Sequence, residues 1–190
     1  MRPASGALES HPESIDCLTL RDSSSVSWLH VIGLSDTTAI RTVSECIGLH
    51  PLQMEDIVNT DHRAKIDISE SLLFAIVKHC SRVNGEFHIE HLAIALTSEG
   101  VISFSEHHPE IFEPVVQRLL SASSRILAKG PDYLFYTLLD SIVDHNVALM
   151  ELLDDEAAEL DERLLRSTDA DVLRDIHKLR RDTLLLRKAV

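Results

Sequence analysis

Leu72-Leu73-Phe74-Ala75-Ile76-Val77-Lys78-His79-Cys80-Ser81-Arg82-Val83-Asn84-Gly85 is an apolar run that ends in a turn dipeptide. Its first six residues are apolar at every position, the pattern of a strand covered on both faces. Asn84-Gly85 is the strongest short hairpin signal, because both residues tolerate positive φ. Residues 86–97 are therefore expected to return antiparallel. Ser98-Glu99-Gly100 turns the chain again, and residues 101–105 form a third strand of a meander.

Working outward toward the N-terminus, residues 64–68 read as a short strand. Residues 26–32, with the single tryptophan Trp28, read as another, closed by Gly33. Residues 15–21 alternate apolar and polar, which predicts one more strand, followed by the turn Asp22-Ser23-Ser24-Ser25. Residues 1–14 are polar, hold Pro3, Gly6 and Pro12, and read as a loose terminus. Thr37 or Thr38 can cap a helix running to Ile47, with Ile40, Val43 and Ile47 on one face. Gly48 ends it by taking a positive φ.

Pro51 then fits the first position of a short helix reaching Asn59, where its missing N–H costs nothing. Leu52, Glu55 and Asn59 share one side of that helix; Met54, Ile57 and Val58 share another. Glu55 and Asp56 diverge by about 100°, so they cannot be buried in the same place. One of them should face a partner or an ion.

Toward the C-terminus, residues 109–122 are expected to be helical, with Pro114 confined to the first turn or a kink. From Pro131 to Leu165 there is no glycine and no further proline, and Leu138, Ile142, Leu149, Leu153, Leu160 and Leu164 keep a helical period. This is one long helix. Thr168 with Asp171 resembles a capping box for a second one. There Val172, Ile176, Leu179, Thr183, Leu186 and Val190 alternate by four and three, a heptad seam. Strands alternating with helices predict an α/β/α sandwich with a mixed sheet, of the α/β class, followed by a long helical hairpin. The divisions are residues 1–14, 15–130 and 131–190.

The chain has 190 residues, enough for one sizeable core. With 18 Lys and Arg against 31 Asp and Glu, its formal net charge is −13. That argues against nucleic acid, whose phosphates need basic patches, and suits cations. Cys17, Cys46 and Cys80 are far apart and form no C-x-x-C pair, so they are expected to be reduced thiols. The N-terminal residues lack the apolar core of a leader, and no apolar run approaches the ~20 residues that cross a bilayer.

Carboxylates are the candidate chemistry. Asp140 and Asp144 share one face of the long helix, a repulsion of a few tenths of a kcal/mol that a cation or an arginine would offset. Glu151, Asp154, Asp155, Glu156, Glu159, Asp161 and Glu162 follow without an intervening base. They form a solvated rim or a field that concentrates cations. Lys178, Arg180, Arg181, Arg187 and Lys188 crowd the last helix, so the two arms of the hairpin should attract each other. None of the 11 histidines matches a closed zinc spacing. His88 and His91 point to opposite faces of their strand. No P-loop, G-x-S-x-G or G-x-G-x-x-G is present, and Ser105 with His107 is a chance pair, so no enzyme is expected.

Three blocks in register also carry a resemblance. His50-Pro-Leu-x-x-Glu-Asp-Ile with Asn59, Arg63 and Lys65 is the first. Asp132-Tyr133-Leu134-Phe135-Tyr136-Thr137-Leu138-Leu139-Asp140, then Val143-Asp144, is the second. Leu179-Arg180-Arg181 with Leu186-Arg187-Lys188 is the third. Together they resemble the CorA family of divalent-cation transporters over residues 26–190. Ala64 stands where that family usually has proline, and Asp61-His62 where it often has His-Gln. The resemblance implies a cytoplasmic domain at the inner face of the cell membrane, working as a homo-pentamer. It also implies two membrane helices beyond residue 190 with Gly-Met-Asn between them.

It implies, further, a regulatory Mg²⁺ site between subunits at Asp56, with a partner carboxylate beyond Val190. A second site near it would draw on Glu55, Asp140 and Asp144. Bound Mg²⁺ would hold the pore shut. Co²⁺ and Zn²⁺ are the other ions that such transporters move. The rival expectation is a free-standing cation-binding or scaffold module of the same fold.

Overall fold

The computed structural model describes residues 26–107, 109–121, 126, 129–166 and 169–189. The expected loose terminus, the strand at 15–21 and its turn lie outside the described residues. The hairpin forms where its dipeptide demands: Asn84 has φ 52° and Gly85 φ 79°. Strand β3 (Leu73–Val83) thereby pairs antiparallel with β4 (Glu86–Leu96), from Val83 opposite Glu86 to Leu73 opposite Leu96. Strand β5 (Gly100–Ser105) adds antiparallel to β4. Strand β1 (Ser27–Ile32) adds parallel to β5, and β2 (Lys65–Ile68) antiparallel to β3. The sheet is therefore mixed, in the order β1-β5-β4-β3-β2.

Gly100 has a steric reason. A Cβ built there would stand 2.4 Å from the Ser27 carbonyl oxygen. A backbone oxygen cannot move without moving β1, so only glycine lets the parallel pair start in this register. Gly100→Ala is expected to cost about 1–3 kcal/mol, the range for overpacking, measured by urea unfolding. An unchanged midpoint would show that β1 shifts freely.

Helix α1 (Thr37–Ile47) is capped one residue earlier than expected: Asp36, not Thr37 or Thr38, accepts from the Thr38 and Ala39 N–H groups. Gly48 closes it at φ 75°. Helix α2 (Pro51–Val58) follows at once. Both cover one face of the sheet: Ile40, Val43, Leu49 and Ile57 pack on Phe74, Ile76, Ala93, Ala95, Ile102 and Phe104. Residues 109–122 are less regular than expected. A 3₁₀ turn (Glu110–Phe112) leads into α3 (Glu113–Leu120), with Pro114 in its first turn. Phe112 and Val115 pack on the opposite face with Ala75, Leu92, Ile94 and Val101.

The long helix is present as α4 (Pro131–Arg166, 36 residues). Its first turns lay Leu134, Phe135, Leu138 and Ile142 on that second face. Farther on it meets the rim of the sheet. Strand β2 begins opposite Ile76 and runs back to Leu73, so the outer edge of β3 is unpaired by strand from Val77 onward. Asn146 covers the gap: its Oδ1 accepts from Cys80 N–H at 2.9 Å, and its Nδ2 donates to the Lys78 carbonyl at 2.9 Å. One buried amide thus satisfies two backbone groups that would otherwise be orphaned.

Helix α5 (Ala170–Ala189) returns along α4. Thr168, its expected cap, lies outside the described residues. Asp169 Oδ1 accepts from the Asp171 and Val172 N–H groups instead. Leu186 and Ala189 join Leu149, Leu153, Cys80 and Phe87 in a third cluster near the hairpin end. Val190, the last seam residue, lies outside the described residues; among the others the seam departs from expectation at Thr183, which is exposed while its neighbour Asp182 is fully buried. Arg82, from β3, explains this. Its guanidinium reaches Asp182 at 3.2 Å and grips both carboxylate oxygens of Glu156 on α4. The arms attract in both senses: Lys178 of α5 adds to Arg82 in lowering the Glu156 pKa on α4, as the charge pattern predicts, and Arg163 of α4 holds Asp175 of α5 at 2.9 Å with the signs reversed.

Cys80 is a free, buried thiol, pushed up to about 11 by burial. Cys46 is disulfide-bonded, which corrects the expectation of a reduced thiol. Separation along the chain says nothing about separation in space. Cys17 lies outside the described residues.

Candidate metal centre

The His50 ring and the Gln53 side chain start α2. His50 Nδ1 accepts from Leu52 N–H at 3.2 Å, and Gln53 Oε1 accepts from His50 N–H at 2.9 Å. This sets the helix so that Ile57 and Asp56 turn inward, 0 and 7 per cent exposed, while Glu55 faces solvent. The expected divergence of the adjacent carboxylates holds. After Asn59 the chain folds back, with His62 N–H donating to the Asn59 carbonyl at 3.0 Å.

That turn brings His62 Nε2 to 3.1 Å from Asp56 Oδ1. Strand β2 brings Lys65 Nζ to 2.6 Å from Oδ2. The same ammonium lies 3.1 Å from Asp67. Asp56 raises the Lys65 pKa, the largest of its influences.

A second layer fixes the backbone beneath. His91 Nε2 donates to the Asp56 carbonyl at 3.0 Å. Its Nδ1 then accepts from Lys78 Nζ at 3.0 Å, and Lys78 also donates to the Thr60 carbonyl at 2.6 Å. This geometry requires a neutral imidazole. Burial first, and the Lys78 charge second, push His91 down to about 4. Burial also lowers Lys78.

The unfolded histidine, near 6.5, takes a proton that the folded one refuses until about 4. Stability should therefore fall as pH drops through that window. His91→Gln should flatten this slope, by up to about 3 kcal/mol across the window. Denaturant unfolding between pH 4 and pH 7 checks it, and an unchanged slope would remove His91 as its source.

The other expected ligands are elsewhere. Asp140 and Asp144 are exposed on α4. The neighbouring Asp140 carboxylate raises the pKa of the Tyr136 hydroxyl. Asp56 lies on the α1–α2 face of the sheet and the first turns of α4 lie on the other, so one chain does not bring these carboxylates together. Among the described residues no three His, Cys, Asp or Glu side chains stand ready to hold an ion. In the acidic run, Glu156 is taken by Arg82, while Glu151, Asp154, Asp155, Glu159, Asp161 and Glu162 are exposed. Ser105 Oγ donates to the His107 carbonyl and sits 3.1 Å from His30 Nε2, an arrangement within the sheet rather than a nucleophile beside its base.

Sequence reasoning quoted Lys65 only within a motif and missed His62, Lys78 and His91 as neighbours of Asp56. One signal existed. Counting outward in step from the Asn84-Gly85 turn places Lys78 directly opposite His91.

Asp56 is a hard oxygen donor of the kind Mg²⁺ takes, and the Lys65 ammonium stands where a cation would. Mg²⁺ uses one or two carboxylates and keeps several waters. Asp56 supplies one carboxylate of that kind. No helix among the described residues is long and apolar enough to cross a membrane.

Comparison with known proteins gives the family and the fold. The family model described as CorA-like Mg2+ transporter protein matches residues 23–190. The cobalt/magnesium transport protein CorA of Thermotoga maritima is 33 per cent identical over 175 residues, covering 91 per cent of this chain and 50 per cent of that protein. The chain spans about half the length of the curated relative it matches at that identity. The soluble domain of CorA from Methanocaldococcus jannaschii superposes with a TM-score of 0.69 at 18 per cent identity, covering 85 per cent of this chain and 64 per cent of that one. The ZntB cytoplasmic domain from Vibrio parahaemolyticus gives 0.66 at 11 per cent identity, covering 85 and 63 per cent. These last two share the fold. The match over nearly the whole chain, with the relative at 33 per cent identity, shows that the chain belongs to the CorA-like Mg2+ transporter family.

Proposed function

We propose that this chain is the cation-sensing, gate-controlling part of a divalent-cation transport protein at the cytoplasmic face of the cell membrane. In this reading, Mg²⁺ binds between copies of the chain, around Asp56 and Glu55 of one and Asp140 and Asp144 of the next. One observation carries it: the candidate carboxylates belong to helices packed on opposite faces of the same sheet.

Such an arrangement is useless within one chain. It is what a head-to-tail ring needs, because a heterologous interface joins two different surfaces and closes by rotation. A pentamer is the ring that the family resemblance implies. An ion between two carboxylate surfaces removes their mutual repulsion and so selects the assembled state. With a net charge of −13 per chain, that repulsion is considerable. Co²⁺ fits the same oxygen donors.

Mg²⁺ should therefore raise the melting temperature of the chain. The gain follows RT ln(1 + [L]/Kd), about 2.7 kcal/mol at a hundredfold excess over Kd. Asp56→Asn should lose this Mg²⁺-dependent increment, whatever it does to basal stability. An increment that survives the substitution would exclude Asp56 as a ligand.

A further inference from the structure

We propose that Lys65 is a built-in competitor for the cation at Asp56, and that Asp67 is the place to which its ammonium retreats when a cation binds. The inference rests on the reading of Asp56 as a cation ligand and concerns how that site is regulated.

Asp56 is not an open carboxylate. One oxygen faces His62 Nε2 at 3.1 Å and the other the Lys65 ammonium at 2.6 Å. Its side chain is 10 per cent exposed, so little water screens the pair. A divalent ion reaching Oδ2 must displace a positive charge already in contact with it. An ammonium in contact with a little-exposed carboxylate holds it by direct charge attraction, and it opposes an approaching metal ion by the same field.

Displacement is feasible because Lys65 does not have to give up its pairing. Lys65 and Asp67 stand two apart on β2, so their side chains share one face of the strand. The ammonium already lies 3.1 Å from Asp67, whose side chain is 44 per cent exposed. Rotation about the lysine stem moves the charge from the buried carboxylate to the open one. With the cation absent, the same charge returns to Asp56 and keeps a nearly buried carboxylate compensated. The site can then empty without leaving an unpaired charge behind.

The test is a Mg²⁺ titration of the 190-residue chain, read by melting temperature, with Lys65→Gln as the main variant. Glutamine removes the charge and keeps a donor for Asp56, so folding is protected. Lys65→Gln should bind Mg²⁺ at least about tenfold tighter. Lys188→Gln changes the net charge equally from an exposed position on α5 and should not. Asp67→Asn should weaken Mg²⁺ binding in the natural background and have no effect in the Lys65→Gln background, where nothing needs a retreat.

Equal tightening by Lys188→Gln would reduce the effect to bulk charge and overturn the proposal. Unchanged affinity in Lys65→Gln would overturn it too, while loss of Mg²⁺ stabilisation in Asp56→Asn would leave the parent reading standing. A weakening by Asp67→Asn in the Lys65→Gln background would make Asp67 a ligand instead of a retreat. Mg²⁺ stabilisation that survives Asp56→Asn in every background would remove both readings.

Discussion

Arg82→Ala should lower the stability of the fold by about 3–5 kcal/mol, the cost of breaking a buried ion pair from one side. The reason is Asp182. Its carboxylate is fully buried on α5, and the Arg82 guanidinium at 3.2 Å is its principal counter-charge. Among the described residues the one other cation paired with it is Arg181, at 3.7 Å. Truncation strands the aspartate and also frees Glu156, so the grip of β3 on both helices is lost at once.

Arg82→Lys keeps a charge but not the fork that serves two carboxylates, and should fall between wild type and alanine. The pair Arg82→Met with Asp182→Leu should recover most of the loss, because two apolar side chains replace two desolvated charges. Urea unfolding of the four proteins reads all of this. A cost below about 1 kcal/mol for Arg82→Ala would place the pair among screened surface contacts.

Asn146→Leu should cost about 2–4 kcal/mol. Leucine has the same number and branching of side-chain heavy atoms, so it leaves no cavity. What is lost is the pairing of Cys80 N–H and the Lys78 carbonyl, each at 2.9 Å from the amide. A buried backbone group left unsatisfied costs about 1–3 kcal/mol. Asn146→Asp separates the two bonds. It can still accept from Cys80 N–H, but it turns an acceptor toward the Lys78 carbonyl. Amide exchange at Cys80 should accelerate strongly in the leucine variant and less in the aspartate variant. Equal exchange in all three would show that water replaces the amide at this edge.

Both positions show where sequence reasoning stopped. The heptad count put Thr183 on the seam, because a period is counted with apolar and small residues. The helix instead turns Asp182 inward, since Arg82 waits there from a strand a hundred residues earlier. Asn146 carries no sequence signal at all. Its role exists because β2 is short and leaves the edge of β3 bare, and because α4 passes that edge. The cap of α1 shows a smaller slip of the same kind: Asp36 and Thr37 are both good caps, and backbone geometry chose between neighbours.

The candidate site divides in the same way. That Glu55 and Asp56 diverge, and that one turns inward, follows from 3.6 residues per turn alone. That Asp56 turns inward onto Lys65 and His62 depends on the fold-back after Asn59, which no periodicity encodes. Lys78 beside His91 was within reach, since a two-residue turn sets every pairing along its hairpin. Their burial under α2 was not, because it needs the sheet face and the helix together.

By itself, then, the sequence determined the hairpin, the order and type of the described elements, the long α4 helix and the divergence of the two adjacent carboxylates. These depend on local dihedral preference and on the periods of helix and strand, which act over a few residues. Only the tertiary structure decided which charges meet: Arg82 with Asp182, Asn146 with the β3 edge, Lys65 with Asp56. Such pairings join segments far apart in the chain. The energy that selects them is the cost of leaving a buried polar group alone, and that cost exists only once the chain has folded.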